Sequence, residues 1–238
     1  MMKQKTMSLM ALAALVVLVS SCNWKVEKHF KSSNGPKVTK NIENVASFER
    51  IRIEAPCNVY FTQGDSTKVK VVASDAEVME KFKVTVDDGC LDIRMKGKGW
   101  SNWKKKRSAT IYVTATDLIE VDMHGAGSFN VEGNLDTDTL RLRLKGAGNM
   151  DFPNILCDRI EAHLKGVGDM DFHQLQTQQA ELNLRGVGDI DAHFVKSGSV
   201  RCTLQGVGDI DLTGEVKSLE KKVQGTGEIG VSNLKINN

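Results

Sequence analysis

Two series of aspartates run through the second half of the chain at a fixed interval: Asp169, Asp189 and Asp209, and Asp151, Asp171, Asp191 and Asp211. Carboxylates stacked about 5 Å apart repel by about 1 kcal/mol near a wet surface, so something must offset the repetition. One offset is a hard cation, calcium first, held by Asp169, Asp171, Asp189, Asp191, Asp209 and Asp211 between successive copies. The other is local: an aspartate after a glycine corner accepts backbone N–H bonds and fixes the turn. The interval of 20 residues is far longer than that of nonapeptide calcium repeats, and their Gly-Gly doublet is missing. Turn fixing is the preferred reading, with no metal or other cofactor expected. An outward series of Lys145, Lys165 and Arg185 supplies counter-charge.

Other chemistry is thinly supported. His124, His163, His173 and His193 are scattered, and no Cys/His set has ligand spacing. Cys57, Cys90, Cys157 and Cys202 form no CxxC; a Cys57–Cys90 bridge and four buried free thiols are both open. There is no Gly-x-Ser-x-Gly elbow, and no helix follows the Gly-x-Gly corners to hold a phosphate. An enzyme is not expected. One loop stands apart, Lys96 to Arg107, where Trp100 and Trp103 sit beside Lys104, Lys105, Lys106 and Arg107. Exposed tryptophan is unusual unless it packs down or grips something. The loop reads as a contact for a glycan, an anionic headgroup or a protein, or as a hairpin tip with one ring tucked onto the scaffold.

The elements that must carry these residues follow from a repeat. The first glycines of the Gly-x-Gly pairs are Gly125, Gly146, Gly166, Gly186, Gly206 and Gly225, spaced 21, 20, 20, 20 and 19 residues apart. Two before each stand Met123, Leu144, Leu164, Leu184, Leu204 and Val223; four before stand Val121, Leu142, Ala162, Leu182, Cys202 and, out of pattern, Lys221. Four after stand Phe129, Met150, Met170, Ile190, Ile210 and Ile229, and six after stand Val131, Phe152, Phe172, Ala192, Leu212 and Val231. Apolar columns of period two on both sides of a glycine corner mean short strands with one face inward. A 20-residue unit cannot bury that face alone, so copies must stack at strand spacing. The expected fold is all-β, a right-handed single-stranded β-helix or β-solenoid with coils of about 20 residues. Lys221 fits a terminal coil that caps the end. Leu184 is expected inward, and its neighbour Asn183 on a tolerant surface.

Before the repeats, alternating segments at Phe48–Ile53, Asn58–Thr62, Lys68–Val72, Phe82–Val86, Leu91–Met95 and Ala109–Val113 read as strands. Asp75 to Lys81 reads as a turn or two of helix, and Asp87-Asp88-Gly89 as a hairpin turn. No linker separates this half from the repeats, so residues 45–238 are expected to form one domain.

Residues 1–21 read as an export signal: Lys3 and Lys5, then an apolar run from Leu9 to Val19 too short to cross a bilayer. Val19-Ser20-Ser21-Cys22 resembles a bacterial lipobox, which implies a lipid on Cys22 and stable anchoring. Asn23 gives no inner-membrane retention signal, so the expected location is the outer membrane, on its periplasmic face or at the cell surface. Residues 22–44 read as a flexible tether. Residues 22–118 hold 18 Lys/Arg against 12 Asp/Glu, and residues 119–238 hold 12 against 18. That division fits solvated surfaces or a homo-oligomer; it lacks the clustered basic footprint of a nucleic-acid binder.

Phe48-x-x-Ile51-x-Ile53, Asn58-Val59 running into Gln63-Gly64, Leu91-x-Ile93 and the tandem Gly-x-Gly-Asp repeats resemble the putative auto-transporter adhesin, head GIN domain family. The resemblance covers residues 45–236. It implies a β-helix-like fold on bacterial lipoproteins and carries over no catalytic residues. The chain is therefore expected to be a lipid-anchored, non-catalytic binding or adhesion module of the cell envelope, with a glycan or an envelope or host protein as partner. The rival classes are a structural envelope protein and a polysaccharide-active β-helix enzyme.

Overall fold

The period-two columns become parallel ladders. In a computed structural model that describes residues 37–97 and 108–237, the elements in chain order are as follows. They are β1 (Val38–Ile42), β2 (Arg50–Glu54), β3 (Pro56–Gln63), β4 (Lys68–Ala73), α1 (Ala76–Lys81), β5 (Phe82–Asp87), β6 (Cys90–Met95), β7 (Ala109–Ala115) and β8 (Glu120–Met123). There follow β9 (Ala126–Val131), β10 (Asn134–Leu144), β11 (Ala147–Phe152), β12 (Asn154–Leu164), β13 (Met170–Leu184), β14 (Ile190–Leu204), β15 (Ile210–Val223) and β16 (Ile229–Ile236). Residues 1–36, with Cys22 and most of the expected tether, and residues 98–107, with both loop tryptophans, lie outside the described residues.

Each coil has a first wall before the glycine corner and a second wall after it. The first wall stacks Leu142, Ala162, Leu182 and Cys202 as parallel neighbours; the second stacks Met150, Met170, Ile190 and Ile210. The core columns read from the sequence point inward except in the last coil, where Lys221 is exposed and Val223 is 47% exposed. A third inward column, Leu135, Ile155 and Leu175, lies on strands that run on through the next bend. Phenylalanines form the thickest ladder: Phe61, Phe129, Phe152 and Phe172 follow at centroid distances of 6.4, 6.0 and 5.5 Å. Each such contact adds about 0.5–1.5 kcal/mol beyond burial.

The first half continues the same core, but its coils do not stack in chain order. The β2–β3 coil lies between two others: β6 and β7 on one side, β8 and β9 on the other. The outer end is closed by antiparallel strands, β5 against β6, and β4 against β7 with β1 beyond it. Val38–Ile42, read as tether, is thus an edge strand; two apolar residues in five gave too weak a pattern to find it. Helix α1 starts where expected, its Asp75 carboxylate accepting the Val78 N–H at 2.8 Å, and buries Val78. Asp88 and Gly89 both take positive φ in the β5–β6 hairpin. At the far end Lys221 reaches back to donate to the Ile229 carbonyl at 3.3 Å.

Candidate functional site

At the repeated corner the two glycines serve different ends. A Cβ on Gly186 would lie 2.1 Å from the Gly166 carbonyl oxygen, so the coils approach too closely for any side chain. Gly188 has φ 132° as well, which no residue with a Cβ adopts readily. The residue between them stacks from coil to coil as Ala147, Val167, Val187, Val207 and Thr226, and the three valines are about half exposed.

Just past this corner the aspartates do something more specific than local turn fixing. Asp169 Oδ1 accepts the N–H of Asp189 at 3.1 Å, Asp189 Oδ1 that of Asp209 at 2.8 Å, and Asp209 Oδ1 that of Glu228 at 2.8 Å. Asn149 and Asn58 occupy the same column and bond Asp169 and Ser128 in the same way. Each carboxylate therefore clasps the next coil and offsets the repulsion with a charge-assisted bond.

The second column, Asp151, Asp171, Asp191 and Asp211, is less well served. His173 meets Asp151 at 2.8 Å. Burial first, then the neighbouring carboxylates, raise Asp171 and Asp191 above the usual aspartate range. Among the described residues no three His, Cys, Asp or Glu side chains close on a common metal position. The expected counter-charge goes elsewhere: Lys145 pairs with Asp122 at 3.4 Å, across the corner on the first wall. That wall is an ionic ladder in which Glu120 binds Arg143, Arg141 binds Glu161, Arg159 binds Glu161, and Arg201 binds Glu220. Asn183, expected on a tolerant surface, is only 6% exposed; it lies between His163 and Thr203 of the adjacent coils and donates to Glu181 at 2.9 Å.

The four thiols are free and buried. Burial pushes Cys57 and Cys202 up to about 12, so both stay protonated and poorly nucleophilic. The histidines remain dispersed: His124 lies beside Asp122, His193 beside Thr213, and burial lowers His163.

Sequence reasoning missed a groove of about 660 Å³ that crosses the coils at the bend leading into the first wall. Its origin is a step in side-chain size. Coils through β12 and β13 present Asp158, Arg159, Gln178 and Gln179, whereas β14 presents Gly198 and Ser199, and β15 Lys217 and Ser218, at the matching places. A Cβ on Gly198 would lie 2.0 Å from the Gln178 carbonyl oxygen. Asp136, Asp138 and Asp158 line one end, glutamines the middle, and Lys196 and Lys217 the other end. Lys196 holds φ 48° beside a register shift, a backbone state uncommon for lysine. A second hollow of about 360 Å³ joins the first through Gln179, Ser199 and Ser218. The sequence signal was the break of the Gln178 and Gln179 positions into glycine and serine one coil later.

Twin-glycine corners, parallel ladders and a polar groove across the coils define a repeat scaffold that presents side chains in rows, a β-solenoid. The chain belongs to the family described as putative auto-transporter adhesin, head GIN domain, which it matches over residues 47–233. Solved structures with the same fold include a putative adhesin from Bacteroides fragilis NCTC 9343, with TM-score 0.68, 24% identity, and cover of 82% of this chain and 96% of that one. A putative adhesin from Parabacteroides distasonis ATCC 8503 has TM-score 0.62, 15% identity, and cover of 84% and 98%. A putative lipid binding protein from the same strain has TM-score 0.54, 17% identity, and cover of 86% and 98%. No curated protein matches the chain.

Proposed function

We propose that this chain is a lipid-anchored, non-catalytic binding or adhesion module of the bacterial cell envelope. The observation that carries the reading is the groove crossing successive coils on a scaffold whose ladders hold its side chains in fixed rows. Family membership among adhesins supports it. So does the state of the nucleophiles, since the thiols are buried and held protonated. The Cys22 lipid and the outer-membrane location rest on the signal and lipobox pattern of residues 1–22. Trp100, Trp103 and the cations Lys104 to Arg107 are a second proposed contact, on the segment that links β6 to β7.

Cells that carry the full chain should be retained on immobilised envelope or host glycoconjugates better than cells that lack it. Cys22→Ser should release the protein from the membrane fraction and abolish the difference. Equal retention of all three would overturn the reading.

A further inference from the structure

We propose that the groove binds a linear, uncharged oligosaccharide lying along the solenoid axis, from the coil of Asp136 to the coil of Lys217. This rests on reading the chain as a binding module and names what that module binds. Two lining positions nearest the bend repeat from coil to coil: Asp136, Leu156 and Gln176 form one row, which Lys196 follows across a register shift, and Asp138, Asp158, Gln178, Gly198 and Lys217 form the other. Four strand spacings separate the ends, a run of about 19 Å at ~4.8 Å per coil. The site is long, narrow and parallel to the stacking direction, so its ligand is an extended chain.

The lining chemistry selects the kind of chain. Carboxylates accept paired hydroxyls, lysines donate, and glutamine amides do both, which is the complement of a polyol. Carboxylates and ammonium groups sit at opposite ends, so neither an anionic nor a cationic polymer is favoured along the whole length. An extended peptide fits less well. Strands β12 to β15 beneath the groove have a partner on each side, and at the start of β10, which pairs only with β12, the Gln63 side chain already bonds both the N–H and the carbonyl of Asp136, so an added strand finds little free backbone edge. Leu156, 45% exposed, is the one large apolar side chain that lines the groove, so apolar peptide side chains find little there to pack against.

The donors are also held before any ligand arrives. Gln178 donates to Asp158 at 2.7 Å, and Arg159 donates to the Gln179 amide oxygen at 2.9 Å. Beneath them the Ser197 hydroxyl bonds the Leu175 carbonyl at 2.9 Å and accepts the Thr177 N–H at 3.1 Å. Side chains already fixed lose little freedom on binding. Thr137, 7% exposed in the groove wall, keeps a hydroxyl oxygen without a partner.

The test uses the full chain in detergent against an array of linear gluco-, manno-, xylo- and N-acetylglucosamine oligosaccharides. Uronate and sulfated oligosaccharides and lysine-rich peptides form the other arms. Binding to a neutral oligosaccharide is expected, with little dependence on salt. Ser199→Trp, which fills the hollow, and Gln178→Ala, which trims an exposed amide, should each weaken it at least tenfold at unchanged melting temperature. Lys165→Gln, at the glycine corner, should leave it unchanged. If Ser199→Trp fails to fold, Gln178→Ala and Lys217→Ala carry the test, since both lose only exposed side chains. Affinity indifferent to the groove variants overturns the proposal, as does a preference for charged glycans or peptides that salt abolishes. No neutral oligosaccharide bound, with cell retention intact, overturns the groove ligand and spares the binding module. Loss of both overturns both.

Discussion

Asp189 Oδ1 holds the backbone N–H of Asp209 at 2.8 Å, so a side chain of one coil fastens the main chain of the next. The bond needs an oxygen acceptor, not a charge, as Asn149 shows by holding Asp169 in the same column. Asp189→Asn should therefore keep the melting temperature, or raise it slightly by removing repulsion. Asp189→Ala should cost about 0.5–1.5 kcal/mol, the net contribution of a hydrogen bond whose freed N–H water can reach. Thermal melts of the two variants decide; equal losses would mean that charge matters more than the acceptor.

The second aspartate column carries a pH signature. Asp171 and Asp191 have folded pKa values raised above the unfolded value near 3.8, by burial and by their neighbours. A raised acid binds more protons folded than unfolded, so its contribution to stability falls as pH rises through that window. At neutral pH the pair is a net cost, recovered as pH drops toward 3.8. Glu161 runs the other way. Burial alone would raise it, but bonds from Arg159 and Arg141 prevail and lower it below 4.5, so its contribution is lost on further acidification. Asp171→Asn with Asp191→Asn should raise the melting temperature at pH 7 and narrow the gap between pH 7 and the unfolded value near pH 3.8. An unchanged gap would remove the column as its cause.

Glycines of two kinds should respond differently to alanine. Gly186→Ala drives a Cβ to 2.1 Å from the Gly166 carbonyl oxygen and should prevent cooperative folding. Gly133 has φ 88° but nothing within 4 Å of a Cβ, so Gly133→Ala should cost only about 1 kcal/mol of backbone strain. Circular dichroism melts that rank the two together would contradict the close approach of the coils.

Leu184→Asp places a carboxylate in the core and should unfold the repeats, at a cost of several kcal/mol. Asn183→Asp, though outward, should also destabilise, because it sets a second carboxylate against Glu181 where an amide now donates. Lys165→Gln is the tolerant comparison. Denaturant curves in which Asn183→Asp matches Lys165→Gln would show that the outer wall is looser than its burial implies.

The inward columns were legible because each repeats five or six times at one spacing, and each copy reports the same wall. The corner glycines were legible as corners, but not why two are needed. The direction of the Asp189 bond was hidden, since a column of carboxylates reads alike whether its partner is its own turn or the next coil. Stacking order in the first half was also beyond reach: β2 and β6 both alternate, and nothing in either sequence says which lies inside the other. The groove escaped notice because it is a departure from the repeat. Gly198 and Ser199 mean nothing until they are set beside Gln178 and Gln179 across the bend.

The even spacing of the first-wall ladder has a consequence for size. Since Leu144, Leu164 and Leu184 are successive neighbours in one ladder, residues 165–184 form a removable segment whose excision joins Leu164 to Arg185 with the columns of both walls continuous. The shortened chain should fold cooperatively and lose one strand spacing, about 4.8 Å, from its length. A random coil spectrum would show that this segment supplies something no other copy does. Reach in such a molecule is thus quantised, and duplication or loss of one genetic unit moves its tip by a fixed step while the rest of its surface stays as it was.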